Sequence, residues 1–225
     1  MRRQPTAAMI KPKTRRAAAP RDAYHHGALR EALIEASESL LAERGVEGFS
    51  LREVARRSGV SPAAPAHHFG DMAGLLSAVA RAAFDGLTDA LEAGNRRGGD
   101  DPVARLREQG VGYVGFALRY PGRFGLMFRT GLGLHVDEPL KRSAQPAFMK
   151  LEHGVRDLLG IGAGIPLTDV QWQALLTIWS TVHGFAHLML AGQFDDMIPA
   201  TGRDAFLRST LAPMLQTQLE SLRQR

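Results

Sequence analysis

Polar side chains with the right types and spacing for chemistry fall in two places in this 225-residue chain. One is Ser61–His68, where Ser61, His67 and His68 stand among Pro62, Ala63, Ala64, Pro65 and Ala66. Hydroxyl and imidazole groups on a short exposed helix can bond base edges and phosphates, and an alanine methyl can meet a thymine methyl. The other is Trp179, His183 and His187. The two histidines stand four apart, on one helical face, which is a legitimate two-ligand metal spacing. No carboxylate on that helix completes a site, so three readings of His183 stay open: a metal ligand, a polar group orienting a bound molecule, or a histidine satisfied in a core or interface. His25-His26 and His67-His68 are adjacent pairs that point apart on a helix and form no chelate by themselves.

The sequence holds no phosphate loop, dinucleotide glycine fingerprint, serine elbow or zinc-protease pair. With zero cysteines there is no thiolate metal site, disulfide or cysteine nucleophile. No catalytic residue, cofactor or metal is expected, and a helical enzyme has no positive feature in its favour.

The elements that must position these residues begin with Ser50–Phe69, SLREVARRSGVSPAAPAHHF. Ser50 can cap a helix, with Glu53 completing a capping box. Leu51, Val54 and Ala55 give it an apolar face, while Arg52, Arg56 and Arg57 point elsewhere. Gly59 supplies a left-handed exit. Ser61-Pro62 then restarts a helix with a capping hydroxyl and a pre-set φ, although Pro65 argues for a start one or two residues later. Val60 and Phe69 are expected to anchor this second helix. The spacing predicts a helix-turn-helix whose second helix can enter a DNA major groove.

Before it, Leu29, Leu33, Ala36 and Leu40 predict a helix over Tyr24–Arg44, ended by Gly45. After it, Asp71 can cap a helix running to about Gly94, with Leu75, Leu76, Val79, Ala83 and Leu87 inside, followed by a break at Asn95–Asp101. Further helices are expected from Pro102 to Tyr120, from Pro121, over Glu138–Leu159, from Thr168 to Ala191, and from Thr201 to Leu222 with a kink at Pro213. Gly131–Glu138 is expected as a loop. Strand signals are weak everywhere. The fold class is all-α, with about nine helices.

The net charge of +5 is unevenly spread. Residues 1–22 carry Arg2, Arg3, Lys11, Lys13, Arg15, Arg16 and Arg21 against Asp22, a net of +6, so the remainder nets −1. This basic arm is expected to be disordered. It either adds salt-sensitive phosphate contacts or is a solubilising extension. No apolar run approaches the roughly 18 residues a membrane span needs, and no signal-peptide core follows the basic start. A cytoplasmic protein with no membrane partner is expected.

The segments ERGVEGFS, LREVARRSGVS and HHFGDMAGLL, in that order within Tyr24–Leu76, resemble the TetR family of bacterial transcriptional regulators. FALRYPGRFGLMF and Trp179–Gly184 (WSTVHG) look like the WHG-type C-terminal domain of one branch of that family. The resemblance implies residues 23–70 as a DNA-binding domain and 71–225 as a ligand-binding and dimerisation domain. It also implies a homodimer formed through the last two helices, a pseudo-palindromic double-stranded DNA operator, and a small-molecule pocket that alters the spacing of the two heads. The expected DNA-facing residues are Ser50, Arg52, Ser61, Pro62, Ala64, Ala66, His67 and His68. The expected effector-binding residues are Tyr113, Phe116, Met127, Phe128, Trp179 and His183, around a small apolar or amphipathic molecule. Two positions depart from the family pattern. Ala66 replaces a usual aromatic residue and Met72 a usual lysine, so the chain reads as a ligand-responsive repressor or, alternatively, as a helical small-molecule-binding protein with a weakened DNA head.

Overall fold

A computed structural model describes residues 20–128 and 138–224. Most of the expected basic arm and of the Gly131–Glu138 loop lies outside the described residues. Those described form helices and turns only, and the all-α expectation holds among them.

Helix α1, Pro20–Arg44, starts earlier than the apolar spacing implied and takes in Pro20–Asp22, which were expected to be part of the disordered arm. Gly45, at φ 64°, ends it. Helix α2, Leu51–Arg57, is capped as expected, Ser50 Oγ accepting from the Glu53 backbone N–H. The reciprocal half of the capping box does not form, because the Glu53 carboxylate is taken by Arg56 and Arg57. Helix α3, Ala64–Phe69, begins at Ala64 without a side-chain cap, so Ser61 is no N-cap. Pro65 explains the late start. At the second helical position its missing N–H costs nothing, whereas deeper in a helix it would break a bond.

Helix α4, Met72–Gly98, is capped by Asp71 Oδ1, which accepts from Gly74 N at 2.8 Å. It runs through Asn95–Gly98, where a break was expected; the chain turns only at Gly99, φ 64°. Its first turns bury Leu75, Leu76, Val79 and Ala80 in one core with Leu33, Leu40, Phe49 and Val54. Further along, Ala83, Leu87 and Leu91 enter a second, larger core. One helix therefore belongs to both the three-helix head and the body, and the expected boundary at residues 70/71 falls just before it. Val60 and Phe69 are partly buried against the head core rather than enclosed by it.

In the body, α5 (Pro102–Arg119) lies against α4 and is capped by Asp101. The backbones approach closely where side chains are missing: a Cβ on Gly94 would lie 2.5 Å from the Glu108 carbonyl oxygen, and one on Gly112 2.8 Å from that of Ala90. Short α6 (Pro121–Met127) and long α7 (Glu138–Leu159, passing through Pro146) follow. Helix α8 (Asp169–Leu190) opens with a complete Thr168–Gln171 capping box. The C-terminal run comprises α9 (Arg203–Phe206), a π-helical turn (Leu207–Leu211) and α10 (Ala212–Arg223). The π turn ends two residues before Pro213, whose ring cannot sit under the carbonyl four residues back in a regular helix.

Candidate nucleic-acid interface and apolar cavity

The head presents α3 outward. Ser61, Pro62, Ala66 and His67 are exposed, Ala64 and His68 are half-buried, and Ser50 and Arg52 are exposed at the start of α2. Pro65 is the buried member of α3 and points its ring inward. Of the arginines on α2, Arg57 is committed to the head itself. It gives Glu43 of α1 two hydrogen bonds, of 2.7 and 2.6 Å, and also bonds Glu53. Hydrogen bonds from Arg56 and Arg57 hold the Glu53 carboxyl down at about 2. Arg52 is exposed and has no ion pair among the described residues, which suits the phosphate contact expected of it. Arg30 of α1 lies over the Phe69 ring, 5.3 Å from its centroid, bracing the end of α3. The surface expected to face DNA is thus a small-residue helix with His67 as its polar tip, an arginine beside it, and Met72 exposed where α4 begins.

The body holds an apolar cavity of about 240 Å³ between α4, α5, α7 and α8. Phe84, Leu87, Leu91, Phe148, Trp179 and Ile178 are among its walls. Of the residues expected from sequence, Tyr113, Phe128 and Trp179 line it, and Phe116, Met127 and His183 do not. Phe116 lies on the other face of α5, packed against Tyr120 with ring centroids 5.3 Å apart. Met127 packs partly buried against the body core. His183 sits behind the wall, its Nδ1 2.8 Å from the Tyr113 hydroxyl. Burial, with a smaller contribution from His187, lowers the His183 pKa, so the neutral ring can accept from the phenol. Burial likewise raises the Tyr113 pKa, keeping the hydroxyl protonated as donor. His187 lies 4.6 Å from His183 ring to ring, but no third histidine or carboxylate joins them in a metal-holding group among the described residues.

Sequence reasoning missed the α4 and α7 walls. Phe84, Leu87 and Leu91 share one stripe on α4, but a buried stripe reads the same whether it meets a core or a void. Gln109 adds an amide to the lining, and it donates to Asn95 Oδ1 at 3.1 Å.

Head and cavity are joined by α6. At its start Gly122 lets the helix sit on α1: a Cβ there would be 2.8 Å from Ala42 N and 3.1 Å from the Glu38 carbonyl oxygen. Arg123 Nη2 donates to Glu38 Oε2 at 2.6 Å. One residue on, Phe124 is fully buried and packs edge-on against Tyr113 (5.6 Å) and Phe128 (5.1 Å). A seven-residue helix thus touches the head on one side and the cavity's aromatic wall on the other.

Residues 33–79 match the family model described as bacterial regulatory proteins, tetR family, and residues 106–214 match one described as the tetracyclin repressor-like C-terminal domain. Between them the two matches take in most of the chain, including α2, α3, the cavity's α5 wall and the Trp179–Gly184 segment. The HTH-type transcriptional regulator BetI of Stenotrophomonas maltophilia is 36% identical over 78 residues, which are 35% of this chain and 40% of that protein. The chain therefore spans well under half the length of such curated relatives. A structure of a protein with unknown function from Rhodococcus sp. RHA1 superposes with a TM-score of 0.66 at 30% identity, covering 86% of this chain and 96% of that one. A TetR family transcription regulator from Marinobacter aquaeolei VT8 superposes with a TM-score of 0.63 at 20% identity, covering 87% and 97%, a likeness of fold alone.

Proposed function

Because this chain belongs to the TetR family of bacterial regulatory proteins, we propose that it is a homodimeric repressor, acting in the cytoplasm, that leaves its DNA operator when a small apolar or amphipathic molecule fills the body cavity. The observation that carries this is α6, seated on α1 through Gly122 and Arg123 and on the cavity wall through Phe124. A ligand that pushes Phe128 or Tyr113 displaces Phe124, and Arg123 then drags α1 with it. Ligand free energy enters only as the difference in affinity between the two arrangements of the head.

Dimerisation is assigned to α8 and α10. Trp172, Leu176 and Leu188 of α8 and Met214 of α10 are exposed large apolar side chains. A hydrogen bond from Gln218 to Thr181 holds the two helices together. Gly184, with nothing within 4 Å of a Cβ placed on it, leaves room for a partner helix to approach closely. Among the described residues no helix is long and apolar enough to cross a membrane.

The test is fluorescence anisotropy with labelled DNA from the promoter next to the gene, at moderate salt, with and without apolar compounds. Saturable binding of two chains per site, relieved by a compound that also quenches Trp179, supports the proposal. Ligand binding without any DNA binding supports the second reading, a small-molecule-binding protein with a weakened head. That reading is favoured by one observation: Pro62, Ala63 and Ala66, exposed at and just before α3, leave Ser61 and His67 as the exposed polar side chains there.

A further inference from the structure

Helices α4 and α5 form a wall with two working faces. One faces the apolar cavity through Leu87, Leu91, Leu106 and Tyr113. The other forms the floor of a groove of about 840 Å³, closed on its far side by α9 and the π turn. Five guanidiniums line that groove, those of Arg97, Arg119, Arg123, Arg203 and Arg208, against two carboxylates, Asp89 and Asp204. Behind the lining, buried Glu108 is shared by three arginines: Arg208 at 2.6 Å, and Arg97 and Arg107 at 3.4 Å each. One buried carboxylate cannot neutralise three cations. Arg119 and Arg203 have no ion pair among the described residues.

The groove also has room at its floor. Gly112 and Gly115 of α5 lie in it, and a Cβ on Gly115 would meet nothing within 4 Å. At one end Arg123 has a buried Nε without a hydrogen-bond partner among the described residues, while its Nη2 serves Glu38 of the head. A buried donor without an acceptor is unfavourable until something accepts from it.

We propose that this groove binds a small multivalent anion, carrying two or more carboxylate or phosphate groups, and that Arg123 is shared between that anion and Glu38. Several guanidinium forks around an open floor suit planar, two-oxygen acceptors better than a single halide. The occupant competes with Glu38 for Arg123, so it loosens the α1–α6 contact from the side opposite the apolar cavity. Anion binding itself stands without the repressor reading; only its effect on DNA rests on that reading.

The experiment is calorimetric titration of the full chain with inorganic pyrophosphate and, separately, citrate, each against sodium chloride at matched ionic strength. One saturable event per chain is expected. Which of the two probes binds tighter distinguishes a phosphate from a carboxylate occupant. The double variant R119Q/R203Q changes only exposed side chains, and should weaken binding about tenfold or more by removing two charge-assisted contacts. Glu38→Gln should strengthen binding several-fold by releasing Arg123, and Glu38→Asp, which shortens the reach, should act in the same direction. No saturable event, or one unchanged in R119Q/R203Q, overturns the site. Unchanged or weaker binding in both Glu38 variants, with circular dichroism showing them folded, overturns the sharing of Arg123.

Discussion

Glu38 and Arg123 meet across the seam between head and body at 2.6 Å, yet each keeps a buried atom unpaired among the described residues, Glu38 Oε1 and Arg123 Nε. A contact satisfied on one side only holds two bodies in register while leaving the alternative arrangement within reach. Arg123→Gln should therefore cost about 1–3 kcal/mol of stability, the range for a hydrogen bond to a charged group and the polar group it leaves behind. Its larger effect should be on response: the variant should still bind operator, but the ligand should no longer release it. Paired titrations of DNA with and without ligand check this, and release equal to wild type would show that α6 transmits through Gly122 packing alone.

Ala147 is buried on α7 and lines the apolar cavity. Ala147→Phe should occupy the void and abolish binding of apolar probes while leaving DNA binding in place, giving a repressor that cannot be induced. Dye displacement and anisotropy on the same preparation read the two properties separately. A variant that loses both has been overpacked, at a cost of about 1–3 kcal/mol, and its lowered melting temperature would reveal that.

On the surface proposed to face DNA, Met72 is 43% exposed at the start of α4. Met72→Lys should add one phosphate contact, tighten operator binding and steepen the slope of log K against log salt by about 0.9. His67→Ala should weaken operator binding more than binding to random sequence. Equal losses on both DNAs would assign His67 to the phosphate backbone.

The head should also be acid-sensitive through Glu53, whose carboxyl is held at about 2 by Arg56 and Arg57 against an ordinary 4.5. Because the folded value is the lower one, the folded state binds fewer protons. Its contribution is complete above pH 4.5 and is lost as the pH falls towards 2. Helical signal followed during acid titration should show this loss, and Glu53→Gln should flatten the profile in that window. An unchanged profile would move the acid response to Glu43, whose pKa Arg57 also lowers.

What could be read from residue types divides along a physical line. Caps and punctuation are local, so Ser50, Asp71, Asp101 and Thr168 start helices where the sequence says they should. Pro65 was legible for the same reason, through its own missing N–H. The break expected at Asn95–Asp101 shrinks to Gly99–Asp101 because Gly94 and Gly98 serve to let α5 lie against α4, a tertiary use that outweighs their poor helix propensity. The cavity was half legible. Tyr113, Phe128 and Trp179 stood out as aromatic, but choosing between Phe116 and Phe84 requires knowing which face of each helix meets the void. Glu38 and Arg123 are 85 positions apart, and no local pattern joins them.

The π turn at Leu207–Leu211 sets the phase of everything after it. A π turn holds one residue more than the α-helix it interrupts, and each residue of an α-helix advances about 100°. The turn therefore absorbs a residue that a regular helix would have to express as a rotation, and α10 keeps Leu215 and Leu219 in the body core. Deleting Ser209 should let the segment close as an ordinary α-helical turn with α10 in the same phase. Deleting Gln216 from α10 itself should instead swing everything after it by about 100° and carry Leu219 out of the core.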